Sequence, residues 1–336
     1  MDENINKLSK ESAIEELKQS KGGTIMMWIF IIILVIIILV LLGLIVWKYI
    51  SVQNVIKGIL EQIKLTPPVN NFPDGFDQSK PFVYLPSNPE NYDQTVAQTL
   101  IETADIASSY NLTPHATNAP PNFIVANVYN SYYTKGKNFV AAVTYYNATD
   151  SSLIVAFSGS VTASQIDADF IFELIVTNSL LPSITDTSVK SHKGFTTVYA
   201  NMKNSLTADI TNYVNNGLKN IIFTGHSLGG ALVTLAVLDL SSIIQNTNIT
   251  IYTYGSPRVG NTNFVNLYNL TYPNTMRINN TEDIIPQIPI PGFAGYDYEH
   301  VNNNIPFTIS LGTISDNHNL SYINNLPQCF VNKAVC

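Results

Sequence analysis

The stretch Asn220-Ile-Ile-Phe-Thr-Gly-His-Ser-Leu-Gly-Gly-Ala-Leu-Val-Thr-Leu-Ala236 decides the fold. Ile221 to Thr224 is a short, uncharged run of β-branched and aromatic residues, the pattern of a strand buried in a parallel sheet. A turn follows at Gly225-His226-Ser227-Leu228-Gly229, and then an apolar, Ala/Leu-rich run to about Ile244 that suits a buried helix. Strand, tight turn and helix are the setting of a G-x-S-x-G nucleophile elbow, where a serine sits on strained backbone with its hydroxyl clear of the sheet. The flanking glycines leave room for strand and helix to approach closely. Ser227 is therefore the candidate nucleophile.

Working outward, strands are expected at about 138–146 and 152–158, then at 220–225, 249–255 and 275–279. Helical patterns fall near 93–110, 195–215, 228–244 and 262–269. Strands alternating with helices read as an α/β domain with a mainly parallel sheet covered on both faces. With 336 residues, 46% of them apolar, the chain can bury a large core. A net charge of −7 with 12% charged residues leaves no basic surface for nucleic acid. The two cysteines, Cys329 and Cys336, lie far from any histidine at metal-ligand spacing, so no metal site is expected; they form either a local disulfide or two thiols.

The amino-terminal part has a different character. Residues 1–24 form a polar tail, and Ile25 to Trp47 runs 23 residues without a charge. At 1.5 Å per residue that run is about 34 Å long, enough to cross a bilayer core as a single transmembrane helix. Trp28 and Trp47 stand near its ends, Lys21 and Lys48 bound it, and the following Lys-Tyr-Ile-Ser-Val-Gln offers no small-residue cleavage site. A retained single-pass membrane anchor is expected rather than a signal peptide. Residues 48–92 then read as a juxtamembrane amphipathic helix, with Val52, Val55, Ile56, Ile59, Leu60 and Ile63 on one stripe, followed by a Pro-rich linker from Pro67-Pro68. The catalytic domain spans 93–336. Lysines on the two sides of the span nearly balance, leaning towards an internal amino terminus. Six N-x-S/T sequons, at Asn111, Asn147, Asn248, Asn269, Asn279 and Asn319, point to a lumenal or external, glycosylated domain.

A serine hydroxyl needs a base, and the base needs an acid to hold its tautomer. In this fold the chain order is serine, acid, histidine. Of the five histidines, this leaves His300 and His318. Asp283, after the strand-like Thr275–Asn279, is the expected acid, with Glu282 as competitor. The oxyanion hole needs two backbone N–H groups. One is expected from Leu228, and the other from Gly159 or Ser160 in the loop after strand 152–158.

These motifs resemble the class 3 lipases, the triacylglycerol lipase family typified by filamentous-fungal enzymes. The likeness covers roughly residues 93–325. It rests, in order, on V-A-F-S-G-S at 155–160, H-K-G-F at 192–195, G-H-S-L-G-G at 225–230, Y-G-S-P-R-V-G-N at 254–261, D-I-I-P at 283–286 and D-N-H-N-L-S-Y at 316–322. The resemblance implies an α/β-hydrolase fold and a Ser227–Asp283–His318 triad. It makes His300 non-catalytic and Ser160 the oxyanion residue beside Leu228. It further implies a mobile lid at about Val161–Phe172, with Asp169 in place of a family aspartate and Ile166 where fungal members often carry tryptophan. The expected activity is hydrolysis of carboxylic esters of lipids through an acyl-enzyme, without a cofactor. A phospholipase A1-like hydrolase and an inactive membrane-anchored binding protein on the same fold are the rival readings. His192, His226 and Arg258 are expected to be structural.

Overall fold

The computed structural model describes residues 92–112, 118–132, 138–160, 172–292 and 295–330. The expected tail, membrane span, almost all of the linker and the lid segment up to residue 171 lie outside them, as do His115 and Cys336. Among the described residues no helix is long and apolar enough to cross a membrane.

Eleven strands are present among the described residues: β1 Ile124–Tyr132, β2 Asn138–Asn147, β3 Ser152–Phe157, β4 Leu174–Val176, β5 Lys190–His192, β6 Asn220–His226, β7 Asn248–Tyr254, β8 Gly260–Asn261, β9 Met276–Asn280, β10 Tyr298–Glu299 and β11 Asn304–Phe307. The helices are α1 Gln94–Ser109, α2 Lys193–Asn215, α3 Leu228–Asp239, α4 Ser241–Ile244, α5 Thr262–Thr271, α6 Ile314–His318 and α7 Leu320–Phe330. The main sheet has the order β1-β2-β3-β6-β7-β9-β11. Its first two pairings are antiparallel; β3-β6, β6-β7, β7-β9 and β9-β11 are parallel. A mainly parallel sheet was expected, and β6, which leads to Ser227, stands at its centre. A second sheet, β10-β8-β5-β4, is made of two- and three-residue strands too short to leave a pattern in the sequence.

The sheet is covered on both faces, and the period of two in its strands shows why. Leu153, Val155 and Phe157 of β3, with Ile221 and Phe223 of β6, join a core with α2, α3 and α5. Ile154, Ala156 and Ile222 point the other way, into a core with α1 and α7. All six residues of β3 are buried, which explains its unbroken apolar run. The expected helix 228–244 is interrupted at Leu240, separating α3 from α4. Strand β1 was not foreseen. It is an edge strand with bulges near Asn127 and Asn130, and most of its residues are exposed or half-buried, so it lacks a clean apolar alternation.

Candidate active site

The elbow is built by steric necessity. Ser227 has φ 57° and ψ −126°, a left-handed conformation that L side chains rarely adopt. The turn that imposes it brings α3 down onto the ends of β6 and β3. A Cβ on Gly225 would lie 2.4 Å from the Gly229 carbonyl, and one on Gly229 would lie 2.3 Å from the Phe157 carbonyl oxygen. The Ser227 N–H donates to the Tyr254 carbonyl at 2.9 Å, which ties the turn to the end of β7.

The acid and the histidine come from the far side of the sheet. Asp283 lies three residues beyond β9 and is 1% exposed. Its Oδ1 accepts the Ile285 N–H at 2.9 Å. Its Oδ2 accepts two donors at 2.8 Å each: His318 Nδ1–H and the Tyr322 hydroxyl. Because a carboxylate only accepts, Nδ1 of His318 carries the proton and Nε2 is left as the basic nitrogen. Tyr322 in turn accepts the Asn280 N–H at 2.9 Å. Burial, and then the charge of Asp283, push its phenol well above the usual tyrosine range, so it stays a donor. Gly255, at φ +54°, lets these groups converge: a Cβ there would stand 3.0 Å from Asp283 Oδ2 and 3.2 Å from both His318 Cε1 and Tyr322 Cε2.

His226 closes the gap between the two halves. Its Nε2–H donates to the His318 carbonyl at 2.7 Å, and the two imidazoles lie 4.5 Å apart. Burial first, and then the neighbouring His318, hold its pKa well below the ordinary histidine range. The neutral ring therefore presses His318 against the elbow without adding a charge there.

The competitors are placed elsewhere. Glu282 is exposed and Asp283 is buried, although they are adjacent. His300 donates from Nε2 to the Pro286 carbonyl at 2.5 Å; burial, then the charge of Arg277, lower its pKa to about 3. Arg258 bonds the carbonyls of Gln287 and Pro289, and so holds the loop after Asp283, as a structural residue would. His192 caps α2 by accepting the Phe195 N–H at 3.3 Å and stacks on that ring.

Near the oxyanion loop, Gly159 packs against the nucleophile: its Cβ position is 3.7 Å from Ser227 Cβ. The Gly159 N–H is bonded to Ser108 Oγ at 2.9 Å, which removes one of the two donors expected there. Ser160 is 7% exposed. Leu228 is the first residue of α3, where a helical N–H has no carbonyl a turn earlier to bond. Sequence reasoning missed Tyr322 and Ser108. Tyr322 closes the D-N-H-N-L-S-Y segment four residues after His318, so helical spacing alone could have flagged it. Nothing comparable marks Ser108.

A parallel-centred sheet with a strained serine between its central strand and a helix, and a bonded Asp–His pair later in the chain, is the α/β-hydrolase arrangement. Residues 154–293 match the model of the family described as lipase (class 3). A lipase of Rhizomucor miehei is 31% identical over 173 residues, covering 49% of this chain and 46% of that protein. Phospholipase A1-Igamma2, chloroplastic, of Arabidopsis thaliana is 25% identical over 200 residues, covering 50% and 38%. A solved triacylglycerol lipase, whose catalytic centre is described as a serine protease triad, superposes with a TM-score of 0.53 at 26% identity over 65% of this chain and 82% of that one. The chain thus spans less than half the length of these curated relatives. Its likeness to the class 3 lipase family is carried by residues 154–293.

Proposed function

We propose that this protein is a serine hydrolase that cleaves carboxylic ester bonds of lipids, of the acylglycerol type, while held on a membrane by residues 25–47. The observation that carries the reading is the doubly donated Oδ2 of Asp283, which holds His318 by Nδ1 and leaves Nε2 as its basic nitrogen. Ser227 attacks the acyl carbonyl, and His318 takes its proton and returns it to the leaving alcohol. Asp283 holds the imidazole and offsets its charge. The N–H groups of Ser160 and Leu228 stabilise the oxyanion, and water then releases the acid from the acyl-enzyme. The relatives that are lipases by name support acylglycerols as the substrate class. The Arabidopsis relative's name favours bilayer phospholipid as a second reading, because a tethered enzyme meets such lipid directly.

The test uses the detergent-solubilised full chain, wild type beside Ser227→Ala, on a short-chain p-nitrophenyl ester, a triacylglycerol emulsion and phospholipid vesicles. The serine variant loses about 10⁶-fold in kcat. Preference for the emulsion supports a lipase, and preference for vesicles a phospholipase. Wild type that is inert on all three and is not labelled by a fluorophosphonate sinks the hydrolase reading. Anchoring is tested by carbonate extraction of membranes, which leaves a spanning protein in the pellet. The external or lumenal placement is tested by protease protection and a glycosidase shift. Asn279 is excluded as an acceptor because its side chain is buried in the sheet.

A further inference from the structure

An asparagine amide carries two donors and an acceptor, so one buried side chain can tie several backbone groups together. Two buried asparagines stand beside the acid and the histidine. Asn280 ends β9, three residues before Asp283, and is fully buried; Asn317, in α6, directly precedes His318 and is 8% exposed. Asn280 Oδ1 accepts the N–H groups of Ile309 at 3.0 Å and Glu282 at 3.2 Å. Its Nδ2 donates to the carbonyls of Ile309 at 2.8 Å and Asn317 at 3.3 Å. Asn317 Oδ1 accepts the Leu311 N–H at 2.6 Å, and its Nδ2 donates to the Glu282 carbonyl at 3.2 Å. The Asn317 carbonyl is also held by Ser321 Oγ at 2.5 Å.

The two amides cross over. Asn280 reaches the backbone of the residue before His318, and Asn317 reaches the backbone of the residue before Asp283. Both are anchored on the same short stretch, Ile309 to Leu311. The catalytic pair itself meets through one bond of 2.8 Å between residues 35 apart in the chain. A working acid–base pair has to be held to within about 0.5 Å, which asks for support from the groups around it. We propose that Asn280 and Asn317 are positioning residues of the Asp283–His318 pair: a reciprocal brace that locks the turn bearing the acid to the helix bearing the base. This rests on the hydrolase reading above. Neither amide touches a catalytic side chain in any of these bonds; each acts through the backbone next to it.

The experiment compares the solubilised full chain carrying Asn280→Ala, Asn317→Ala, both together, or Asn220→Ala with wild type. Each is assayed on a short-chain p-nitrophenyl ester for kcat and KM, for fluorophosphonate labelling rate and for Tm, and by proton NMR for the low-field signal of the His318 Nδ1–H. Asn220→Ala is the control. That side chain is also buried and bonds Asp150, Ser152 and Asn248, but it lies at the other end of β6 from Ser227. Each brace variant should lose about ten-fold in kcat with KM within about two-fold, and its low-field signal should weaken or move. The double variant should lose much less than the product of the two, because one brace can be broken only once. Asn220→Ala should lower Tm with kcat and the signal near wild type. If Asn280→Ala does not fold, Asn317→Ala, which removes two bonds and not four, decides alone. Wild-type kcat and an unmoved signal in Asn317→Ala, or an equal loss of kcat in the control, overturns the assignment. Failure of wild type itself to hydrolyse ester or take up the probe overturns the hydrolase reading, and this inference with it.

Discussion

The two halves of the site are held by different physics. The elbow half, from β6 through Ser227 into α3, is fixed by exclusion: backbone stands against backbone at Gly225 and Gly229, and only glycine fits. The other half, from Asp283 to Tyr322, is fixed by attraction, with three donors converging on one buried carboxylate from a turn and two short helices. Steric exclusion leaves its mark in a few contiguous residues. A hydrogen-bond network spread over some forty residues leaves only isolated polar letters. The first half therefore tolerates no change of shape, and the second no change of donor or acceptor.

The most severe test of this contrast is Asp283→Asn beside Glu282→Gln. The asparagine keeps the shape but favours the wrong His318 tautomer, and kcat falls about 10⁴-fold with little change in Tm. The glutamine at the exposed neighbour leaves kcat within about two-fold. Equal losses would show that the carboxylate pairing is not the working part. Gly229→Ala comes next and attacks the exclusion half. Its added methyl meets the Phe157 carbonyl at 2.3 Å, so the protein loses about 3 kcal/mol of stability, read as a lower midpoint in urea. A variant as stable as wild type would mean that the elbow relaxes freely.

The same contrast explains what the sequence disclosed. The elbow was legible in full, because Gly-x-Ser-x-Gly-Gly between an apolar strand and an apolar helix encodes both the turn and its steric reason. Strands β3 and β6 were legible too, since burial on both faces gives nearly unbroken apolar runs. In the attraction half, Asp283 was chosen over Glu282 from its place after a strand, whereas spacing alone did not separate His300 from His318, and the family resemblance chose His318. Burial separates the two acids, and bonding separates the two histidines: one reaches the carboxylate, the other a proline carbonyl. Ser108 stayed hidden because its partner, Gly159, is 51 residues away and the contact is to backbone, which has no letter in the sequence. β11, with a proline in its middle, was hidden because it is a short edge strand.

Acid should also find the attraction half. His300 is buried and neutral in the fold, with a pKa near 3 against 6.5 in its ordinary state. A histidine with a depressed folded pKa binds more protons when unfolded, so its share of stability is intact above pH 6.5 and is lost progressively as pH falls towards 3. At pH 5 the loss amounts to on the order of 2 kcal/mol. Urea midpoints measured between pH 8 and pH 4 should fall on the acid side for wild type and fall less steeply for His300→Gln. Parallel slopes would show that His300 does not report on folding.

The smallest expected effect is the most discriminating, because it removes one oxygen. In Tyr322→Phe the ring keeps its place against Phe307 and His318, but Asp283 Oδ2 loses one of its two donors and the Asn280 N–H loses its acceptor. The His318 bond to the same oxygen survives, so the tautomer is kept and only the placement of the carboxylate slackens. One hydrogen bond to a charged group is worth about 1.5 kcal/mol, which corresponds to roughly ten-fold in kcat with KM nearly unchanged. The alkaline side of the kcat profile should keep its shape, since the phenol, raised well above its usual range, is not the group that titrates there. If Tyr322→Phe instead costs as much as Asp283→Asn, the second half of the site is as intolerant of shape as the first, and the distinction between exclusion and attraction fails at its weakest bond.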